Sequence, residues 1–98
     1  LTVTTTGSGG SYQITLASTN FTTSTTPVLT QAASVLQFQE KDATTWKNAS
    51  TTAQNMLTTA GTSTPTGDIK DFDLRMNFPA SASDGNYSGT ITITCVPQ

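Results

Sequence analysis

Nucleophilic and metal chemistry draw on histidines, cysteines and clustered carboxylates, and this chain of 98 residues holds no histidine and a single cysteine. A Ser-His-Asp or Cys-His nucleophile system and a zinc site therefore cannot be assembled from it alone. Two carboxylate arrangements need weighing. Asp71 and Asp73 share a face at strand spacing, but Arg75 continues that face, so they read as an exposed ladder rather than the paired acids of a glycoside hydrolase cleft. Asp68, Asp71 and Asp84 could converge on calcium at one end of a sheet, yet no loop has the dense Asx spacing of calcium loops. Gly7-Ser8-Gly9-Gly10 lacks the helix and lysine of a phosphate-binding loop. The expectation is a non-enzymatic chain with no catalytic residue, metal or cofactor.

Binding chemistry has more material. Trp46 lies in a polar stretch, so among the large aromatics it is the free candidate for stacking on a sugar, while Tyr12 and Tyr87 have the parity of a core. Asn20-Phe21-Thr22, Asn48-Ala49-Ser50 and Asn86-Tyr87-Ser88 are glycosylation sequons; in a chain so rich in Ser and Thr about one or two arise by chance, so Asn20, Asn48 and Asn86 permit glycosylation rather than indicate it. Thr2/Thr4 and Thr90/Thr92/Thr94 can form hydroxyl rows of the kind that bind ice, but a solvated sheet face of good strand formers explains them more simply. A Lys–Asn isopeptide cross-link would need a buried lysine, asparagine and acid together.

The elements that must position these residues are strands. Charged residues are 10% of the chain, and threonine is about a quarter of it, so solubility rests on hydroxyls and amides. With four basic residues and a net charge of −2, the chain has no electrostatic footprint for nucleic acid or an anionic membrane. No apolar run is long enough to span a bilayer, and no signal peptide is visible. Beginning at Leu1, the chain reads as a processed protein or an excerpt.

Alternation then marks the strands in order. Leu1–Thr5 alternates and is tethered by Gly7–Gly10; Ser11–Ala17 sets Tyr12, Ile14 and Leu16 on one face. Thr19–Thr26 reads as a loop with Phe21 inward. Gln31–Ser34 admits a helical turn before a strand through Leu36 and Phe38 that ends near Glu40. Thr51–Thr59 predicts a further strand, and Gly61–Asp68 a loop. Asp71–Phe78 alternates most cleanly, with Phe72, Leu74, Met76 and Phe78 on one side; Asp84-Gly85 then signals a turn into Tyr87–Val96. These last two runs are expected to pair as an antiparallel hairpin, with Tyr87, Ile91, Ile93 and a buried Cys95 facing inward. The expected fold is all-β: a single-domain antiparallel β-sandwich of immunoglobulin-like or pilin-like type, with residues 1–10 as strand and tether and 11–98 as the sandwich.

Three passages carry a resemblance. Leu1-Thr-Val-Thr leads through glycines to Ser11-Tyr12-Gln-Ile-Thr-Leu; Asn20-Phe21-Thr follows; and Asn77-Phe-Pro79 precedes Gly85-Asn-Tyr87-Ser-Gly-Thr-Ile-Thr-Ile-Thr. This order resembles secreted prokaryotic surface sandwiches, namely pilin-like (chaperone–usher and spore-coat-U-like) and WxL-type domains. The Trp-X-Leu signature of the WxL group and the paired cysteines of many pilins are absent. The resemblance implies an extracellular structural or adhesive role at the cell surface. Leu1, Val3 and Thr5 would then form a donor strand that adds to a neighbouring subunit, giving a head-to-tail homo-polymer such as a pilus filament. The alternatives are a monomeric module of a larger adhesin and a carbohydrate-binding module using Trp46.

Overall fold

The computed structural model describes all residues, Leu1–Gln98. Ten strands and one short 3₁₀ turn form: β1 (Thr2–Thr5), β2 (Ser11–Ser18), β3 (Phe21–Thr22), β4 (Thr30–Gln31), the turn Ala33–Val35, β5 (Leu36–Glu40), β6 (Lys47–Asn48), β7 (Gln54–Asn55), β8 (Gly61–Thr62), β9 (Asp68–Met76) and β10 (Ile91–Pro97). The chain is all-β with antiparallel sheets, as its alternation requires. One sheet runs β1-β9-β5-β6; a second runs β10-β2-β7, with β8 also on β2; β3 and β4 form a separate ribbon. Tyr12, Ile14 and Leu16 from the second sheet and Leu36, Phe38 and Phe72 from the first enter one core cluster, joined by Phe21, Met56 and Leu57. Ile14, Leu16 and Phe38 are fully excluded from solvent.

Gln13 explains why residues 54–62 stay attached to β2 although only two short strands form there. Its buried side chain accepts from the Leu57 N–H at 3.0 Å and donates to the Leu57 carbonyl at 3.1 Å, replacing ladder bonds that the irregular segment lacks. The strand predicted over Thr51–Thr59 is thus reduced to Gln54–Asn55, yet Met56 and Leu57 are buried. Both readings of residues 31–40 hold in part, since a 3₁₀ turn precedes β5.

The hairpin expected between Asp71–Phe78 and Tyr87–Val96 does not form. β9 pairs with β5 along Phe72–Met76 and with β1 along Asp68–Asp71, whereas β10 pairs with β2 over its full length. The two strands join different sheets, and residues 77–90 make the crossing between them. Asp84-Gly85 turns within that connection, and the strand begins only at Ile91. Cys95 is exposed rather than buried.

Candidate functional site

The residues that should have completed the core mark the site. In an antiparallel pair, directly opposite residues project to the same face. Leu74 and Met76 lie opposite Phe38 and Leu36, and Ile93 and Cys95 lie opposite Leu16 and Ile14, so all four are on core-facing sides. Yet Leu74 is 39% exposed, Met76 43%, and Ile91, opposite Ser18, 40%. Only Ile93 of β10 packs part-buried against the core. The expected inner wall of Phe72, Leu74, Met76 and Phe78 is therefore closed at Phe72 alone.

Backbone pairing stops in the same places. β1 reaches β9 no further than Asp71, with the Leu1 carbonyl accepting from the Phe72 N–H at 2.8 Å; beyond this, β9 has no partner on the side away from β5. β10 ends its sheet, paired only with β2. Two strand edges, consecutive in the chain and one in each sheet, are thus unpaired, and each carries exposed apolar side chains on its inner face; each is an open seam of its own sheet. In the connection 77–90, Phe78 and Tyr87 pack with their rings tilted by 39° and centroids 5.6 Å apart, beside a cavity of about 280 Å³ that also touches Pro79 and Gly85. Chemically the seam offers backbone donors and acceptors with an apolar floor, which fits an added strand.

Leu1, Val3 and Thr5, expected as a donor strand, are placed on the chain's own β9: Val3 opposite Lys70 and Thr5 opposite Asp68. Leu1 is 48% exposed and Val3 is half-buried at the edge of the core. Thr2 Oγ1 donates to Asp71 at 2.7 Å. The short ladder is held by main chain more than by side-chain anchors.

The acids do not converge. Tyr12 OH donates to Asp68 at 2.5 Å; burial first, and this bond second, raise the phenol's pKa above its ordinary 10.0. Asp73 accepts from Gln39 at 3.0 Å and from the Asp42 N–H, and these two bonds lower its pKa below the usual carboxylate value. No group of three His, Cys, Asp or Glu side chains is placed to hold a metal ion. The Thr2/Thr4 and Thr90–Thr94 rows stand in different sheets, so they form no common hydroxyl plane. Lys41 and Lys47 are exposed and Lys70 half-exposed, which leaves no buried lysine for an isopeptide.

Trp46 is half-buried instead of free, because the Arg75 guanidinium sits 4.2 Å from its ring centroid. Asn20, Asn48 and Asn86 are all exposed; Asn20 Oδ1 caps the Ala33 N–H and Asn48 Oδ1 accepts from Gln37. The seam residues Leu74, Met76, Ile91 and Cys95 were visible in the sequence only as core positions, since alternation identifies a face but not whether anything covers it. No helix is long and apolar enough to cross a membrane. Comparison with protein-family models, curated proteins and solved structures found no match to the chain.

Proposed function

We propose that the protein is a non-enzymatic, extracellular structural subunit of a pilin-like surface sandwich that assembles head-to-tail into a filament by exchanging its N-terminal strand. The unpaired edge of β9 beyond Asp71, with exposed Leu74 and Met76 on its inner face, is the observation that carries this reading. Exchange needs a strand that can leave and an edge that can receive. β1 pairs through four residues and buries little; the following Gly7–Gly10, with Gly9 at a φ of +93°, is bonded to the main chain of Ser63 and Thr64 and can serve as the fixed hinge about which β1 leaves. Released, Leu1–Thr5 can remake on a neighbour's β9 the backbone bonds it makes on its own, so the swap costs little beyond association entropy. Seated further along β9, past Asp71, an incoming strand would instead lie beside Leu74 and Met76, whose apolar surface stays wet in the monomer. Because donor and acceptor are different surfaces, repetition gives an open chain.

Electron microscopy of purified protein tests this: filaments are expected for the full chain, and deletion of Leu1–Thr6 should abolish them or leave an unstable monomer. Filaments or monomer stability indifferent to that deletion overturn strand exchange. A second reading, a monomeric module of a larger adhesin, draws on the placement of β1 on its own β9; native mass spectrometry across a concentration series separates the two.

A further inference from the structure

A second recess, chemically unlike the seam, opens beside the outer face of the β9-β5-β6 layer. It has a volume of about 440 Å³ and is walled by Gln31, Gln37, Asn48, Asn77, Ser34 and Phe78, with no ionisable side chain in its lining. A volume of this size lies within the usual range for small-ligand sites. Its polar wall is built almost wholly of carboxamides, each of which offers a donor and an acceptor in one plane.

Two of these amides are pre-oriented. Arg75 Nε donates to Gln37 Oε1 at 2.7 Å, and Gln37 Nε2 donates to Asn48 Oδ1 at 2.8 Å. The guanidinium is itself steadied by the Trp46 ring. This row fixes which way the amides face and leaves the Asn48 amide N–H groups, and one N–H of Gln37, for a guest. Asn77 is set at the rim by its backbone N–H, which donates to the Val35 carbonyl at 2.7 Å. Phe78 adds a 40% exposed ring.

We propose that this cleft binds a neutral saccharide. Vicinal hydroxyls match planar amide donor–acceptor pairs, and the C–H face of a pyranose can lie on the Phe78 ring. A charged guest finds no ionisable side chain in the lining, and the Arg75 guanidinium behind Gln37 is already engaged by that amide and the Trp46 ring. Trp46 then serves at one remove, by holding Arg75 and through it Gln37, and Arg75 is a positioning residue. The cleft goes beyond strand exchange and does not depend on it.

The test is an amide NMR titration of the full chain with cellotriose, maltotriose, mannotriose and chitotriose, with trigalacturonate as the anionic control. At least one neutral sugar should shift the side-chain amide signals of Gln37, Asn48 and Asn77 saturably. Asn48→Ala and Asn77→Ala should each weaken that binding about three- to tenfold, the loss of one neutral hydrogen bond. Arg75→Ala should weaken it and move the Gln37 amide signal of the free protein, while Arg75→Lys, which keeps a donor, should retain binding. Thr94→Ala, on the other sheet, should change nothing, and the same spectra report whether each variant is folded. Silence with all four neutral sugars, response to trigalacturonate alone, or unchanged affinity in folded Asn48→Ala and Asn77→Ala overturns the assignment.

Discussion

Cys95 is the residue at which parity and burial part company. It alternates with Ile91 and Ile93 and stands opposite the fully buried Ile14, yet it is exposed because no strand covers β10. A thiol reagent should therefore modify it in the native protein at nearly the rate seen in denaturant; protection of the native thiol would mean that the seam is closed in solution. Tyr12 carries a pH signature. Its phenol is held neutral by burial and by Asp68, so the unfolded chain loses this proton near pH 10.0 while the folded chain keeps it. Stability from this group is complete below pH 10 and falls as pH rises toward the folded pKa. Denaturant midpoints should drop above pH 10 in the native sequence, and Tyr12→Phe should flatten that drop while costing roughly 1–2 kcal/mol at neutral pH for the lost hydrogen bond. Asp73 works in the opposite direction: its lowered pKa gives stability that is present above the ordinary carboxylate value of 3.8 and lost as pH falls below it.

Among the elements, β9 and β5 show how one ladder can be half core and half surface. Phe38 and Leu74 face each other across it, one fully buried and the other 39% exposed. Phe38→Ala should cost about 3–5 kcal/mol, the usual loss for a buried phenylalanine, whereas Leu74→Ala should cost under about 1 kcal/mol in the monomer. Chemical denaturation of dilute protein reads both; a large loss at Leu74 would mean that its side is covered. β8 illustrates a different constraint. A Cβ at Gly61 would fall 2.3 Å from Tyr12 Cζ, against backbone that pairs with Tyr12 itself. Gly61→Ala should lower the thermal midpoint by several degrees, as expected for a change that displaces a buried ring in a domain this small.

For the molecule as a whole, incompleteness leaves measurable traces. Its radius of gyration is 15.7 Å and its extents are 51 × 25 × 19 Å, where a compact domain of this length has a radius near 13 Å. The accessible surface is 5919 Å², above the roughly 5,300 Å² of a compact monomer of its mass. Only 18 residues are buried. Such a body carries wet apolar surface on the inner faces of β9 and β10, and a charge there should suppress any self-association through them. Ile93→Asp or Leu74→Asp should shift native mass spectra of concentrated protein toward monomer. Equal oligomer populations in these variants would place the contact elsewhere.

The sequence alone determined much of this. Strict alternation in Ser11–Ala17 and Asp71–Phe78 required strands, because β-branched and aromatic residues at period two can bury only one face. With no histidine, the chain alone supplies no Ser-His-Asp or Cys-His system; the glycines at 7–10, which read as a loose tether, are instead bonded by main chain to Ser63 and Thr64. Three matters were decided only in three dimensions. Pairing was one, since β9 takes β5 and β1 as partners and β10 takes β2, strands distant in the sequence that no local pattern names. The second was the 54–62 segment, where a buried Gln13 side chain stands in for the ladder. Coverage was the third: period two tells which way Leu74, Ile91 and Cys95 point, but whether another element arrives to cover them depends on the count of strands in each sheet. That is a property of the assembled chain, and no local pattern encodes it.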